Sequence, residues 1–234
     1  MSTRLLDVPT AHPRSTRDRP AKPPLSEGLI VETALKILRA EGLDAVTMRR
    51  VATELDTGPA SLYVYIGGRD ELRRAMLDRV TGSVPIEEPD PARWREQLHA
   101  LLEGWLRAME THPGIAAVAV GDPPTTERSL LAADYMLGLL LAGGITPQDA
   151  AWACDILPLL TTASAMETAV HIARGHSWEA TAERFEAAFA ALPADRFPNI
   201  VRHGDVLISG DGDERFRFAI DVFLDGLVAR AGRA

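Results

Sequence analysis

Apolar side chains recur at steps of three and four along nearly all of residues 26–230, and glycine or proline interrupts that rhythm at short intervals. A chain written this way folds into helices joined by tight turns, and no alternating stretch competes for a strand. The expected fold class is all-α. The first helix should begin at Ser26, a good N-cap, carry Ile30, Ala34, Ile37 and Leu38 on one stripe, and stop at Gly42. Thr47 caps a second, short helix with Met48, Val51, Ala52 and Leu55 on one face. Asp56, Thr57, Gly58 and Pro59 break it, a third helix runs from Ala60 to Ile66, and a fourth from Arg69 to Thr81. Beyond a linker from Gly82 to Pro91, helices are expected over residues 91–111, 115–120, 126–142, 147–174, 178–191 and 213–230. The proline- and glycine-containing stretch 193–212 reads as a long, mobile loop.

Residues 1–24 hold five prolines and five Lys/Arg with little periodicity, so they do not repay the entropy of ordering and are expected to be a disordered basic tail. The linker then divides the remainder into a small domain, 25–84, and a larger one, 85–234. With 46% hydrophobic residues the chain has enough apolar surface for a sizeable core. One cysteine, Cys154, allows no intramolecular disulfide, and the N-terminus lacks the apolar segment of a secretory signal. With no apolar run read as reaching the roughly 20 residues of a bilayer span, a cytoplasmic protein with no membrane partner is expected. The net charge of −8 conceals an uneven distribution: residues 1–82 carry 13 basic and 11 acidic side chains, net +2, and residues 83–234 are net −10. Only the front of the molecule suits a polyanion, and there affinity must come from placed contacts more than from a strong basic field.

Two short helices joined by a tight turn present the second as a probe only if the turn fixes their angle. That requires a small residue inside the first helix and a residue tolerant of left-handed backbone at the break. Ala52 and Asp56 occupy those places, aspartate being among the better non-glycine residues there. Leu55, Leu62 and Ile66 supply the apolar contacts between the pair.

The stretch from Thr47 to Ile66, Thr-Met-Arg-Arg-Val-Ala-Thr-Glu-Leu-Asp-Thr-Gly-Pro-Ala-Ser-Leu-Tyr-Val-Tyr-Ile, resembles the helix-turn-helix of the tetracycline-repressor (TetR) family. Ser61, Leu62, Tyr63, Val64, Tyr65 and Ile66 match that family's recognition pattern, small-Leu-Tyr-x-aromatic-aliphatic, and Arg69 matches the basic residue opening its fourth helix. Gly67-Gly68 departs from the more polar pair found there. Glu214 to Leu227 is similar to the closing helix of the tetracycline-repressor-like C-terminal subgroup.

The resemblance implies a three-helix helix-turn-helix domain on double-stranded operator DNA, and a C-terminal helical domain for ligand binding and homodimerisation. It implies that Thr47 caps the second helix and touches phosphate and that Tyr63 and Arg69 bind phosphate. Thr57, Pro59, Ser61, Val64 and Tyr65 then face the major groove, with Arg49 and Gly58 completing the DNA-facing set. Arginine and tyrosine donors fix position on the backbone, while short side chains let a helix approach base edges. An unidentified small-molecule inducer is expected in an apolar pocket of the second domain, with Trp105, Met109, His112, Met136, Leu140, Trp152, Ile156 and Met166 as lining candidates. The resemblance assigns pairing to helices 147–174 and 213–230. Phe216, Ile220, Phe223, Leu224 and Leu227 form a stripe on the latter that serves either the dimer or the chain's own core.

Other residues carry less. His171 and His176 stand five apart, and Glu167 with His171 makes only an incomplete metal pair, so no metal or cofactor is expected. Cys154 has no nearby Lys or Arg in sequence and reads as an inert thiol. No phosphate loop, nucleophile elbow or other catalytic constellation is present, so the chain is not expected to be an enzyme. The function expected is a ligand-responsive transcriptional regulator, a repressor released by its inducer. The alternative is a helical small-molecule-binding protein whose degenerate helix-turn-helix no longer binds DNA.

Overall fold

The computed structural model describes residues 23–120, 124–175 and 177–233; the expected tail, apart from Pro23 and Pro24, and His176 lie outside the described residues. Eleven α-helices, and no strand, are found among them. α1 (Glu27–Glu41) is followed by a single 3₁₀ turn (Leu43–Ala45), then α2 (Met48–Glu54), α3 (Pro59–Leu62) and α4 (Arg69–Thr81). α5 (Trp94–Glu110), α6 (Ala116–Ala119), α7 (Glu127–Ala142), α8 (Pro147–Ala173), α9 (Trp178–Ala190), α10 (Pro198–Ile208) and α11 (Gly212–Ala231) make up the remainder.

Local chemistry sets most of these boundaries. Ser26 Oγ accepts from the Leu29 N–H at 3.2 Å, and Thr47 Oγ1 from the Arg50 N–H at 3.1 Å, satisfying donors that the first turns of α1 and α2 leave unpaired. α7 and α11 open with reciprocal caps, Thr126 with Ser129 and Asp211 with Glu214. Gly42 ends α1 at φ 85, a conformation side chains with a Cβ avoid.

The stretch 193–212 is not a loop. Pro198 takes the first position of α10, where its missing N–H costs nothing, and the helix tolerates a kink at His203 (φ −127, ψ 20) before Gly204. The expected third helix is shorter: regular helix stops at Leu62, and residues 63–65 continue as turns held by Tyr65 N–H and Ile66 N–H on the Leu62 carbonyl.

One apolar core runs from Ile30 to Leu227. α4 leans on α1 and also on α5 and α6; α5 and α7 pack on α8, which touches α6 and α11 as well. α8 continues unbroken through Pro158 for 27 residues, and with a mean hydropathy of 1.2 over its most apolar window it is long and apolar enough to cross a membrane. Here its inner side packs against α5, α6, α7 and α11 while its outer side stays exposed. Phe216, Ile220, Leu224 and Leu227 of α11 are buried within the chain, so most of the stripe read on this helix belongs to the chain's own core. A bidentate pair, Arg230 Nη2 to Asp149 Oδ1 at 3.0 Å and Nε to Oδ2 at 3.3 Å, ties the end of α11 to the start of α8. α9 and α10 pack mainly on each other.

Candidate nucleic-acid interface

The turn between α2 and α3 is closed by two hydrogen bonds. Thr57 N–H donates to the Ala52 carbonyl at 2.9 Å and Asp56 N–H to that of Thr53 at 3.0 Å, a Schellman arrangement with Asp56 at φ 50. No other described non-glycine residue has positive φ. Ala52 is buried, as the close approach of the following segment requires. Pro59 presets the first position of α3, and Leu62 and Ile66 are sealed into the core beside Val51.

Those two anchors decide what faces out. Tyr63, Val64 and Tyr65 are 54%, 79% and 42% exposed, and Pro59 and Ser61 are exposed as well. Arg69, at the first position of α4, and Arg49, on α2, are exposed; Thr57 and Thr47 are half-buried, and Gly58 caps α3. Thr47 uses its oxygen in the cap, leaving its O–H free to donate. The neighbouring Arg50 behaves differently. It is held by Glu41 at 2.7 Å and Glu54 at 2.8 Å, which push its pKa further above the ordinary arginine value, so of this arginine pair Arg49 is the outward cation.

Gly67-Gly68 also finds its reason. The Gly67 N–H donates to Glu71 Oε2 at 2.7 Å, and a Cβ on Gly67 would lie 2.5 Å from that oxygen. Gly68 caps α4 with no side chain, so Glu71 reaching back is what closes the turn. Sequence reading missed Glu71, although its place in the first turn of α4 was the available signal.

Beyond α4 the candidate ligand residues separate. Trp105 and Met109 of α5 and Met136 and Leu140 of α7 are buried together in the core. His112 is half-buried, its Nδ1 2.9 Å from the Ala108 carbonyl oxygen. Trp152, Ile156 and Met166 are not with them; they lie on the outer side of α8, Trp152 being 57% exposed. The inner side of α8 is made instead of Ala150, Ala153, Leu157, Thr161, Thr162 and Ala165, all buried and, Leu157 apart, small. Thr161 returns its hydroxyl to the Leu157 carbonyl at 2.9 Å. A surface cleft of about 530 Å³ between α9 and α10 is lined by none of the candidates. Burial pushes the Cys154 thiol up, and Glu167 stands 3.9 Å from His171 with no metal-holding cluster among the described residues.

This geometry can be set beside known proteins. The family model described as "Bacterial regulatory proteins, tetR family" matches residues 30–76, and "Tetracyclin repressor-like, C-terminal domain" matches residues 88–231. The chain belongs to the tetR family. Among curated tetR-family relatives, the HTH-type transcriptional repressor DrrR1 of Streptomyces coeruleorubidus is 30% identical over 220 residues, 89% of this chain and 79% of that protein. Among solved structures, apo ActR from Streptomyces coelicolor superposes with a TM-score of 0.81 at 37% identity, over 90% of this chain and 98% of that one. ActR in complex with actinorhodin gives 0.82 at the same identity and coverage. The tetR-family N-terminal match begins inside α1 and ends within α4, so it contains both helices of the turn and the outward segment 61–65.

Proposed function

We propose that this tetR-family chain is a homodimeric transcriptional repressor of the cytoplasm, a regulator and not an enzyme, that binds operator DNA through α3 and is released by a small molecule. The observation that carries this reading is the outward presentation of Ser61, Tyr63, Val64 and Tyr65 over the buried Leu62 and Ile66. A short rigid probe of small and aromatic side chains fits a major groove, with Arg49, Thr47 and Arg69 placed to hold phosphates on either side. Thr57, Gly58 and Pro59 form the leading edge of the probe.

Two half-sites require two probes held by symmetry. Pairing through the outer sides of α8 and α11 is supported by exposed Trp152, Ile156 and Leu159 on the first and Phe218 and Val222 on the second. The inducer cavity is assigned to the space bounded by Trp105, Met109, Met136 and Leu140 and the small-residue side of α8, with Thr161 and Thr162 as its polar contacts. Because ActR, 37% identical, holds actinorhodin, that compound is the first probe.

The test is selection of a binding duplex from a random pool by the full-length protein, followed by footprinting. Two protected half-sites about one helical turn apart are expected. Tyr65→Ala and Arg69→Ala should weaken binding at least about tenfold while leaving the dimer intact. A protein that selects no duplex, yet binds actinorhodin, would favour a small-molecule-binding protein with a silent helix-turn-helix.

A further inference from the structure

Between Asp56 and Arg69 the chain carries no charged side chain, no amide and no histidine, although 25% of its residues are charged. The gap falls on the outward segment. Pro59, Ala60, Ser61, Tyr63, Val64 and Tyr65 are exposed, over the buried Leu62 and Ile66. The nearest charged groups are engaged or set apart: Glu54 is held by Arg50 at 2.8 Å, and Arg49 and Arg69 belong to α2 and α4.

That composition limits how one base pair is told from another. Guanine is read by arginine or lysine donors, adenine by the two-ended amide of asparagine or glutamine, and cytosine by a carboxylate that accepts from its amine. The segment has none of these. Its hydroxyls, on Thr57, Ser61, Tyr63 and Tyr65, both donate and accept, and so tolerate either kind of partner. What remains is apolar contact, and the feature of the major groove that apolar contact recognises is the C5-methyl group of thymine. Val64 is the side chain best presented for it: at 79%, no large apolar side chain among the described residues is more exposed. Ala60 lies four positions earlier, and the Ile66 N–H bonds the Leu62 carbonyl at 3.0 Å, so helical spacing persists past the end of α3. A helical turn rises about 5.4 Å and a base step about 3.4 Å, so the two side chains span no more than about two steps.

We propose that this chain recognises its operator through thymine methyl groups, with Val64 as the specificity-determining residue and Ala60 beside it, on half-sites whose centre is rich in T·A pairs. This rests on the operator-binding reading above and adds the chemistry by which the sequence is chosen. Valine suits the contact, since its two methyl groups are held stiffly at χ1 and lose little freedom on docking. Thymine is then selected by what it carries at C5, and the hydrogen-bonding atoms of its pair contribute little to the choice.

The experiment uses the full-length protein and the duplex it selects. One thymine at a time is replaced, in both half-sites, by deoxyuridine, which removes the 5-methyl group and leaves every hydrogen-bonding atom in place. At one thymine or more near the half-site centre the affinity is expected to fall about tenfold, as two buried methyl contacts are lost. Val64→Ala, at an exposed position that leaves the core untouched, should bind the thymine and deoxyuridine duplexes within about twofold of each other. At the same place an ordinary C·G pair should cost at least about tenfold, and 5-methylcytosine paired with guanine should restore binding to within about threefold. A duplex indifferent to deoxyuridine at every thymine, a Val64→Ala protein as sensitive as the native one, or 5-methylcytosine no better than cytosine overturns the methyl reading and leaves operator binding standing. Failure to select any duplex overturns operator binding itself, before any base is replaced.

Discussion

Asp56 holds a backbone conformation at φ 50 that costs an ordinary L-residue about 1–2 kcal/mol, and the two hydrogen bonds on either side of it fix the angle between α2 and α3. Asp56→Ala is therefore expected to destabilise the protein by about 1 kcal/mol in urea denaturation, with Asp56→Asn closer to neutral. Equal stability of the two variants would show that the backbone imposes no such demand. Single residues acting over four or five positions were the most legible part of the sequence. Ser26, Thr47 and Asp56 were all assigned to their places, because a cap or a turn depends on neighbours within one helical turn. Glu71 escaped because its partner is a glycine N–H with nothing in its side chain to advertise the bond. Trp105 and Trp152 show the limit from the other side: two tryptophans on apolar helices look alike until the packing buries one and exposes the other.

At the scale of elements, α8 explains that ambiguity. Apolar residues encircle it, so periodicity alone does not say which side faces the core. Only packing distinguishes the sides, with Ala153, Leu157 and Ala165 inward and Trp152, Ile156 and Leu159 outward. α10 was missed because Pro198, Gly204 and Gly210 resemble loop punctuation, although Pro198 starts the helix and Gly204 lies beside its kink. A contact hidden for another reason joins α5 to α11. Arg95, His99, Glu103 and Arg107, at steps of four, face Asp225, Asp221, Arg217 and Asp213, also at steps of four in the opposite direction. Each helix alone looks like a solvated charged face, and only their antiparallel packing makes a ladder. Within it the hydrogen bond from Arg107 holds the Asp213 carboxyl below its ordinary range. A lowered folded-state pKa means stability present above the unfolded value, near pH 4, and lost as pH falls through the folded one. Both partners are about half exposed, so the contribution is under about 1 kcal/mol. Asp213→Asn should accordingly lower the urea midpoint slightly at about pH 7 and leave it unchanged at about pH 2, where both forms are neutral. A larger loss at the acid end would contradict that sign.

For the whole molecule, charge is unevenly spread: residues 83–234 are strongly acidic, whereas residues 25–82, which contain the helix-turn-helix, are close to neutral and the cationic surplus of the front lies in the first 24 residues. The pairing surface proposed above is the apolar face of α8 and α11 that the chain leaves uncovered. Replacing Ile156 and Phe218 together by glutamate should give a folded monomer in sedimentation equilibrium, with operator affinity reduced at least about a hundredfold as two-site binding is lost. A double variant that remains a dimer would move the interface elsewhere. That the segment from α3 through Tyr65 is a groove-reading probe is tested most directly by titrating the selected duplex with native and Val64→Glu/Tyr65→Ala protein across a salt series. Native binding should be specific and fall on the order of a thousandfold between about 50 and 200 mM salt, while the double variant should lose the preference for the selected sequence. Undiminished, sequence-specific binding by the double variant would contradict the assignment.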